Sequence, residues 1–513
     1  MTLPPFVWLI LWLILSAPFV YLIGRIDVMT GGRRNLARWL SLLCIGVAWY
    51  AFGRVAIAFY GLGDTALVER ATWTLGAVTM RFDGLSLLLA ALVLTLTTAI
   101  LLYSGPYIGR GAGAEKHFAL LLLLCGVIIG LGSAGDLFNL WLWFEAMAIT
   151  SYPLVVFYTH DRTSLEAGIK YLVQSSTGSV FILLGIALVL LTTGTLDILE
   201  VRAALAGGTV SGLWVLAGIL FVIGFGVKIA LVPLHTWLPD AHAQAPSGIS
   251  AILSAVVIEA GLIALLRALS ALAGASVTWG ALLISFGLFN MVLGNLLALR
   301  QKQVKRLLAF SSIAHVGYMI LGLGIALYVG TEAGAQAGFF HLVSHGLMKG
   351  LAFLAVGALL FGLQHHLGEA DETIHKGLTI DDLSGAARRY PFIALVLSLA
   401  LMGLAGLPPL VGFMSKWQIL VAGAQTRDVF ILLILIVAAL NSVVSLGYYA
   451  PLINRLYRRE PAAVVAAGRV VPVSMTVPLA VLAVAIVVLG LMPVLAGWVT
   501  IPAAVDLLAA FVP

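Results

Sequence analysis

The chain has 513 residues, of which 62% are hydrophobic and only 10% charged, with a formal net charge of +6. A soluble domain carries about 25% charged residues, so a water-soluble core of this size is excluded and the chain reads as a polytopic membrane protein. The basic excess is spread over the loops between apolar runs, as membrane topology requires, and is not a nucleic-acid-binding signature.

In chain order, runs long enough to cross about 30 Å of hydrocarbon fall near 6–24, 38–60, 83–105, 117–133, 135–158, 167–193, 211–233, 248–272, 277–299, 304–327, 334–362, 391–423, 428–453 and 472–497. The first has no basic segment before it and no small-residue cleavage site, so it is a retained span. Cys44 and Cys125 lie inside apolar runs without metal or disulfide spacing and read as packed thiols. The segment 500–513 is expected to lie at the interface. The fold class that follows is an all-α polytopic membrane protein with about fourteen transmembrane helices.

Loop charges orient the bundle. With the N-terminus outside, the inner loops hold roughly 19 basic residues and the outer loops roughly 5. The asymmetry predicts a multi-pass protein of the cell inner (plasma) membrane with both termini on the outer (periplasmic) side. The longest polar loop, 364–389, carries two adjacent histidines and several acids and reads as a solvated connector on the inner side.

Two spans are interrupted by proline, in KIALVPLHTWLPDAH around residue 233 and GLPPLVGFMSKW around residue 408. Proline breaks a helix, and inside a membrane a break is tolerated only against protein or a watery cavity. Matched broken helices mark inverted-repeat transporters. The spacing divides the chain into helices 1–3 (1–110), a first five-helix repeat (111–273), a second, inverted one (274–455), and helix 14 with a tail (456–513). Short echoes agree: Tyr171-Leu-Val-Gln-Ser with His341-Leu-Val-Ser-His, and Pro233-Leu with Pro409-Leu.

The chemistry-bearing residues are charges within these runs. Glu145, Lys228, Glu259 and Lys416 each fall mid-span. One such charge costs about 2.5–3.5 kcal/mol on insertion scales, and four cost on the order of 10 kcal/mol. A chain meant only to fill lipid would not carry them, and all four are groups that can bind or release a proton. Lys228 precedes the first break and Lys416 follows the second. Glu145 is the natural partner of Lys228; a buried lysine beside an acid can be toggled between charge states. Asp136 reads as a capping residue. His315, and then His341, His345 and Lys349 spaced four apart on one helix face, suit a proton relay. The histidine pair has no third ligand, so no metal is expected. His235, Asp240 and His242 follow the first break, either as a proton entry or as a cap of the broken helix. No Walker loop, dinucleotide glycine pattern, CxxC or nucleophile elbow is present, and no cofactor is expected.

GDLFNLWLWFE, KIALVPLHTWLPDAHAQAPS, RLLAFSSIAHVGY, HLVSHGLMKGLAFLAVGAL and GLPPLVGFMSKW resemble, in order over about residues 80–455, the antiporter-like membrane subunits of respiratory complex I. The same pattern occurs in Mrp-type sodium/proton antiporters and membrane-bound hydrogenases. The resemblance implies a fourteen-helix fold with inverted five-helix repeats and a proton path along a polar mid-membrane axis. It places Glu145 at the family's fifth-helix glutamate, Lys228 at its seventh-helix lysine, Lys416 at its twelfth-helix lysine or glutamate, and His315, His345 and Lys349 on the connecting axis. One position departs: many relatives carry a lysine on the eighth helix where this chain has Glu259, and Ile263 stands where they have a tyrosine. The expected function is a proton-translocating, non-catalytic subunit of a complex I-type oxidoreductase, among other membrane subunits. The alternatives are an Mrp-type subunit that also moves sodium, and a non-conducting scaffold.

Overall fold

The computed structural model describes residues 3–511 apart from 32–34, 62–71, 109–112, 207–210, 276–278, 364–377 and 467. The connector 364–389 therefore lies outside the described residues as far as 377. Polar residues between the apolar runs start the helices. Asp136, Asp161, Asp197, Ser211 and Asp428 each accept a hydrogen bond from a backbone N–H of a following first turn, supplying donors of a new helix with the acceptor it lacks.

The first three helices are α1 (Pro5–Met29), α2 (Leu36–Gly61) and α3 (Gly84–Ile108). Then come α4 (Ala114–Gly132), α5 (Leu137–Val155), α6 (Arg162–Thr193) and the short α7 (Ile198–Leu205). A broken span follows as α8 (Gly212–Ile229) and α9 (Trp237–Gln244), and then α10 (Ser247–Ala271). The next set is α11 (Trp279–Ala298), α12 (Val304–Val329), α13 (Glu332–Leu363), a second broken span as α14 (Pro391–Ala405) and α15 (Val411–Gln425), and α16 (Val429–Leu456). The chain closes with α17 (Val473–Leu491) and α18 (Gly497–Phe511). Among the described residues, thirteen helices, counting Pro493–Phe511 as one, are long and apolar enough to cross a membrane, and α14 is a shorter apolar helix.

One element was not expected. Thr72–Leu75 and Val78–Arg81 form an antiparallel hairpin, β1 and β2, turned at Gly76 with φ +61°. The hairpin marks one end of the bundle. Asp136 caps α5 there and also accepts from the Thr79 N–H at 2.8 Å. Arg81 holds Asp197 at 2.8 Å, and Arg267 near the end of α10 holds Asp83 at 2.6 Å. The set α4–α10 begins at the opposite end and finishes at the hairpin end, whereas α11–α16 begins at the hairpin end and finishes opposite.

The tail 493–511 is long enough to span, yet its contacts lay it across the hairpin end. Trp498 O accepts from Tyr60 at the end of α2, the Gly84 N–H donates to Asp506 at 2.6 Å, and Arg202 donates to Ala510 O at 2.8 Å. All three partners belong to the same end, so the described tail residues lie against the hairpin end of the bundle.

Close helix approach positions the core. Gly287 on α11 faces the backbone of α12: an added Cβ would sit 2.9 Å from Gly317 O. Small residues at such crossings let membrane helices meet backbone to backbone, and here they hold the helix that carries His315. Residues Leu253–Val257 of α10 form a π-helical turn just ahead of Glu259. Such turns re-aim the residues that follow and are frequent at functional sites.

Candidate functional site

The first break ends α8 directly after Lys228. Ala230 takes a left-handed conformation with φ +60°, and Val232-Pro233 is a cis bond. Broken backbone in a membrane must find partners. Asn290 of α11 supplies both kinds: its Oδ1 accepts from the Val232 N–H at 2.9 Å, and its Nδ2 donates to Ala230 O at 3.3 Å.

Lys228 is fully buried. Its ammonium donates to Tyr171 Oη at 2.5 Å and lies 4.4 Å from the centroid of the same ring, with Tyr152 at 5.5 Å and Phe144 at 6.0 Å. Tyr171 is held by Ser151 at 2.8 Å and stacks on Trp237 at 4.2 Å. Glu145, the expected ion-pair partner, is not within the 4.0 Å that defines an ion pair here. It is half-buried on α5, with Oε1 buried and without a hydrogen bond among the described residues. Glu145 shares its face of α5 with Tyr152, seven residues on, whose ring lies 5.5 Å from the Lys228 ammonium, so its carboxylate acts on Lys228 through space rather than by direct contact.

The second break is built differently. Lys416, on α15, reaches back to the end of α14 and donates to Leu404 O at 2.9 Å, Ala405 O at 3.3 Å and Ser442 Oγ at 2.9 Å. A cation at a helix C-terminus faces the negative end of its dipole and its orphan carbonyls. Lys416 also lies 4.9 Å from the centroid of the Tyr318 ring.

Between the breaks runs a line of buried groups. Glu259 Oε1 and His345 Nδ1 are 2.9 Å apart, both side chains with no exposed surface. The His345 and His315 rings are 5.4 Å apart. His315 Nδ1 meets His341 Nε2 at 3.1 Å, and His341 Nδ1 meets Ser415 Oγ at 2.8 Å, next to Lys416 in sequence. Lys349 donates to Leu308 O at 2.8 Å and Ser311 Oγ at 2.5 Å; Ser311 is bonded to Tyr449, which packs on Tyr448. On the Lys228 side, an added Cβ at Gly261 would lie 3.4 Å from Lys228 Cβ, so α10 packs against the end of α8 there, while Glu259, about 200° round the helix from Gly261, faces His345.

The three candidate entry residues separate. Asp240 is partly exposed and bridges Arg306 at 2.5 Å and Lys170 at 3.1 Å. His235 is half-buried with Nδ1 unbonded. His242 is fully buried, stacks on Phe353 at 4.9 Å, and has neither ring nitrogen bonded.

The comparisons can now be placed on this geometry. Residues 134–441 match the family described as the NADH:quinone oxidoreductase/Mrp antiporter transmembrane domain. The chain belongs to that family. NADH-quinone oxidoreductase subunit N of Acidithiobacillus ferrooxidans is similar at 30% identity over 94% of both chains. A chain in the solved structure of the membrane-bound sulfane sulfur reductase, an archaeal respiratory membrane complex, matches with TM-score 0.82 and 26% identity over 99% of both chains. A chain of the Mrp complex of Dietzia sp. DQ12-45-1b matches with TM-score 0.81 and 21% identity, over 98% of this chain and 99% of that one, a likeness of fold.

The family match spans both breaks and every residue of the axis from Glu145 to Lys416. Several polar residues of the site were not singled out as such in the sequence: Asn290, Tyr171, Ser311, Ser415, Tyr449 and Lys305, whose ammonium donates to Ala245 O at 2.6 Å. Tyr171 had one signal, its alignment with His341 in the repeat echo; both face a break, Tyr171 through Lys228 and His341 through Ser415.

Proposed function

We propose that this chain is the proton-translocating, antiporter-like membrane subunit of a complex I-type oxidoreductase of the inner membrane, working among other membrane subunits and doing no redox chemistry itself. The observation that carries the reading is the buried line Glu259–His345–His315–His341–Ser415, with hydrogen-bonded steps of 2.8–3.1 Å around one ring-to-ring step, ending beside Lys416. Imidazole accepts a proton on one nitrogen and releases it from the other, so each histidine passes a proton without moving its ring far. Lys228 and Lys416 stand at the two helix breaks as the terminal stations, and Glu145, half-buried on α5, is placed to report the state of a neighbouring subunit to Lys228. A charge brought to Glu145 changes the field at Lys228, and one pKa unit is only about 1.4 kcal/mol.

Protons suit this line better than sodium. Hard cations take oxygen ligands, whereas the axis is built largely of imidazole and ammonium groups. The redox-driven reading is further supported by the relatives named as oxidoreductase and reductase components, which match over nearly their whole length.

The test is the native complex, purified with its partners and reconstituted in vesicles. Lys228→Ala and Lys416→Ala are expected to leave assembly intact and to abolish most proton transport. Wild-type transport in both variants would make the chain a scaffold and overturn the proposal.

A further inference from the structure

On α13 the polar residues His341, His345 and Lys349 are four apart, and the same spacing continues to Phe353 and Gly357. Residues at i±4 form one continuous ridge on a helix, rising about 6 Å per step. The ridge turns apolar after Lys349, but what lies against it does not. His242 stacks on Phe353 at 4.9 Å. One step on, an added Cβ at Gly357 would run into both Ser247 Oγ and Tyr103 Oη, so these two hydroxyls meet at the bare face of one glycine. Tyr107 Oη lies 3.2 Å from Ser247 Oγ, and the Tyr103 and Tyr107 rings are 5.4 Å apart. Ser104, adjacent on α3, meets His117 Nε2 of α4 at 3.1 Å.

This second cluster is buried yet poorly bonded. Tyr103, His117 and His242 are at most 1% exposed. Tyr103 Oη, His117 Nδ1 and both nitrogens of His242 have no hydrogen-bond partner among the described residues. Side chains from α3, α4 and α9 thus converge with four orphan polar atoms. Buried polar groups are rarely left alone, and internal water is the usual missing partner. His242 also lies in the electrostatic field of Lys349 and Lys305, and Phe353, on which it stacks, is one turn of α13 beyond Lys349. Its other limit is the start of α4 and the end of α3, away from the hairpin and beside the basic loops.

We propose that the axis has a side arm: a file of internal water along the α13 ridge, from His117, Tyr103 and Ser247 past His242 to Lys349, through which protons enter from the basic-loop end. This inference rests on the proton-translocating reading above. Water molecules fill the gaps between the orphan atoms, and the tyrosine and serine hydroxyls and the imidazoles keep the file ordered by alternately donating and accepting. The arm reaches Lys349 directly, without passing Lys228.

The test uses the intact complex in vesicles with a trapped pH indicator, and a cryo-EM map fine enough to show water. The variants are Tyr103→Phe with Ser247→Ala, and separately His242→Phe, which keeps the stack on Phe353 and removes the nitrogens. Ordered water at the four orphan atoms and a several-fold fall in proton transport, with unchanged assembly and melting temperature, is the expected result. A dry cluster, or wild-type transport in both variants while Lys228→Ala still abolishes it, overturns the side arm and leaves the proposed function standing. Wild-type transport in the Lys228→Ala complex as well would instead sink the proposed function on which the arm depends.

Discussion

At the scale of single residues, the balance at Lys228 is close. Burying an ammonium costs several kcal/mol after relaxation. Against this stand a hydrogen bond to a charged donor, worth about 1.5–3 kcal/mol, and a desolvated cation–π contact of about 2 kcal/mol. The two sides are of similar size, so a small change in the surroundings decides the charge state, as a transport station requires. Tyr171→Phe keeps the ring and its stack on Trp237 but removes the oxygen that Lys228 reaches at 2.5 Å. Proton transport by the reconstituted complex should fall several-fold, with a stability loss of about 1–3 kcal/mol measurable as a lower melting temperature in detergent. Glu259→Gln is the second test at this scale. Glutamine keeps an acceptor for His345 Nδ1 but cannot take up or release a proton. If Glu259 passes protons, the transport rate drops and its pH profile changes shape. An unchanged rate and profile would leave Glu259 as a hydrogen-bond acceptor for His345 and nothing more.

At the scale of elements, the two breaks solve one problem in two ways. Ending a helix inside the bundle strands donors and acceptors. At the first break a neutral amide, Asn290, bonds one donor and one acceptor and leaves Lys228 free of structural duty toward the backbone. At the second, Lys416 caps α14 itself. The consequence is testable in stability. Asn290→Ala leaves Val232 N–H and Ala230 C=O unpaired at about 1–3 kcal/mol each, so melting of the detergent-solubilised protein should shift down clearly, with transport lost only through misplacement of Lys228. Lys416→Ala should lower the melting temperature as well as abolish most transport, while the complex still assembles, because one group holds both roles.

At the scale of the molecule, the described loops after α11 and α16, which carry Arg300, Lys302, Arg458 and Arg459, lie at the end away from the hairpin. Arg306 with Asp240 and Arg455 with Asp381 close loops at that end. From the positive-inside rule we propose that this end faces the cytoplasm, with both termini outside. A protease-sensitive tag at either terminus should be cut from the periplasmic side of intact cells after outer-membrane permeabilisation. Protection of both tags until the inner membrane is lysed would reverse the orientation, and with it the direction assigned to proton entry.

Much of this was legible in the chain itself. Apolar length set the spans, polar residues between them set the caps, and a charge within 20 apolar residues declares itself because lipid penalises it whatever the fold. That is why Glu145, Lys228, Glu259 and Lys416 stood out, and why the spacing of His341, His345 and Lys349 put them on one face. Residue types that lipid tolerates gave no such signal: Asn290, Tyr171, Ser311 and Tyr449 are ordinary in a membrane helix until a partner is known. Pairing across helices is likewise a matter of rotation and approach. Sequence offered Glu145 to Lys228 as acid to base; packing leaves Glu145 acting on Lys228 through space and gives the direct hydrogen bond to Tyr171, while Glu259 behind the π-helical turn of α10 meets His345. Local chemistry dictates which groups a membrane helix can carry cheaply; which of them meet is decided only when the helices pack, because a few degrees of rotation about an axis choose the neighbour.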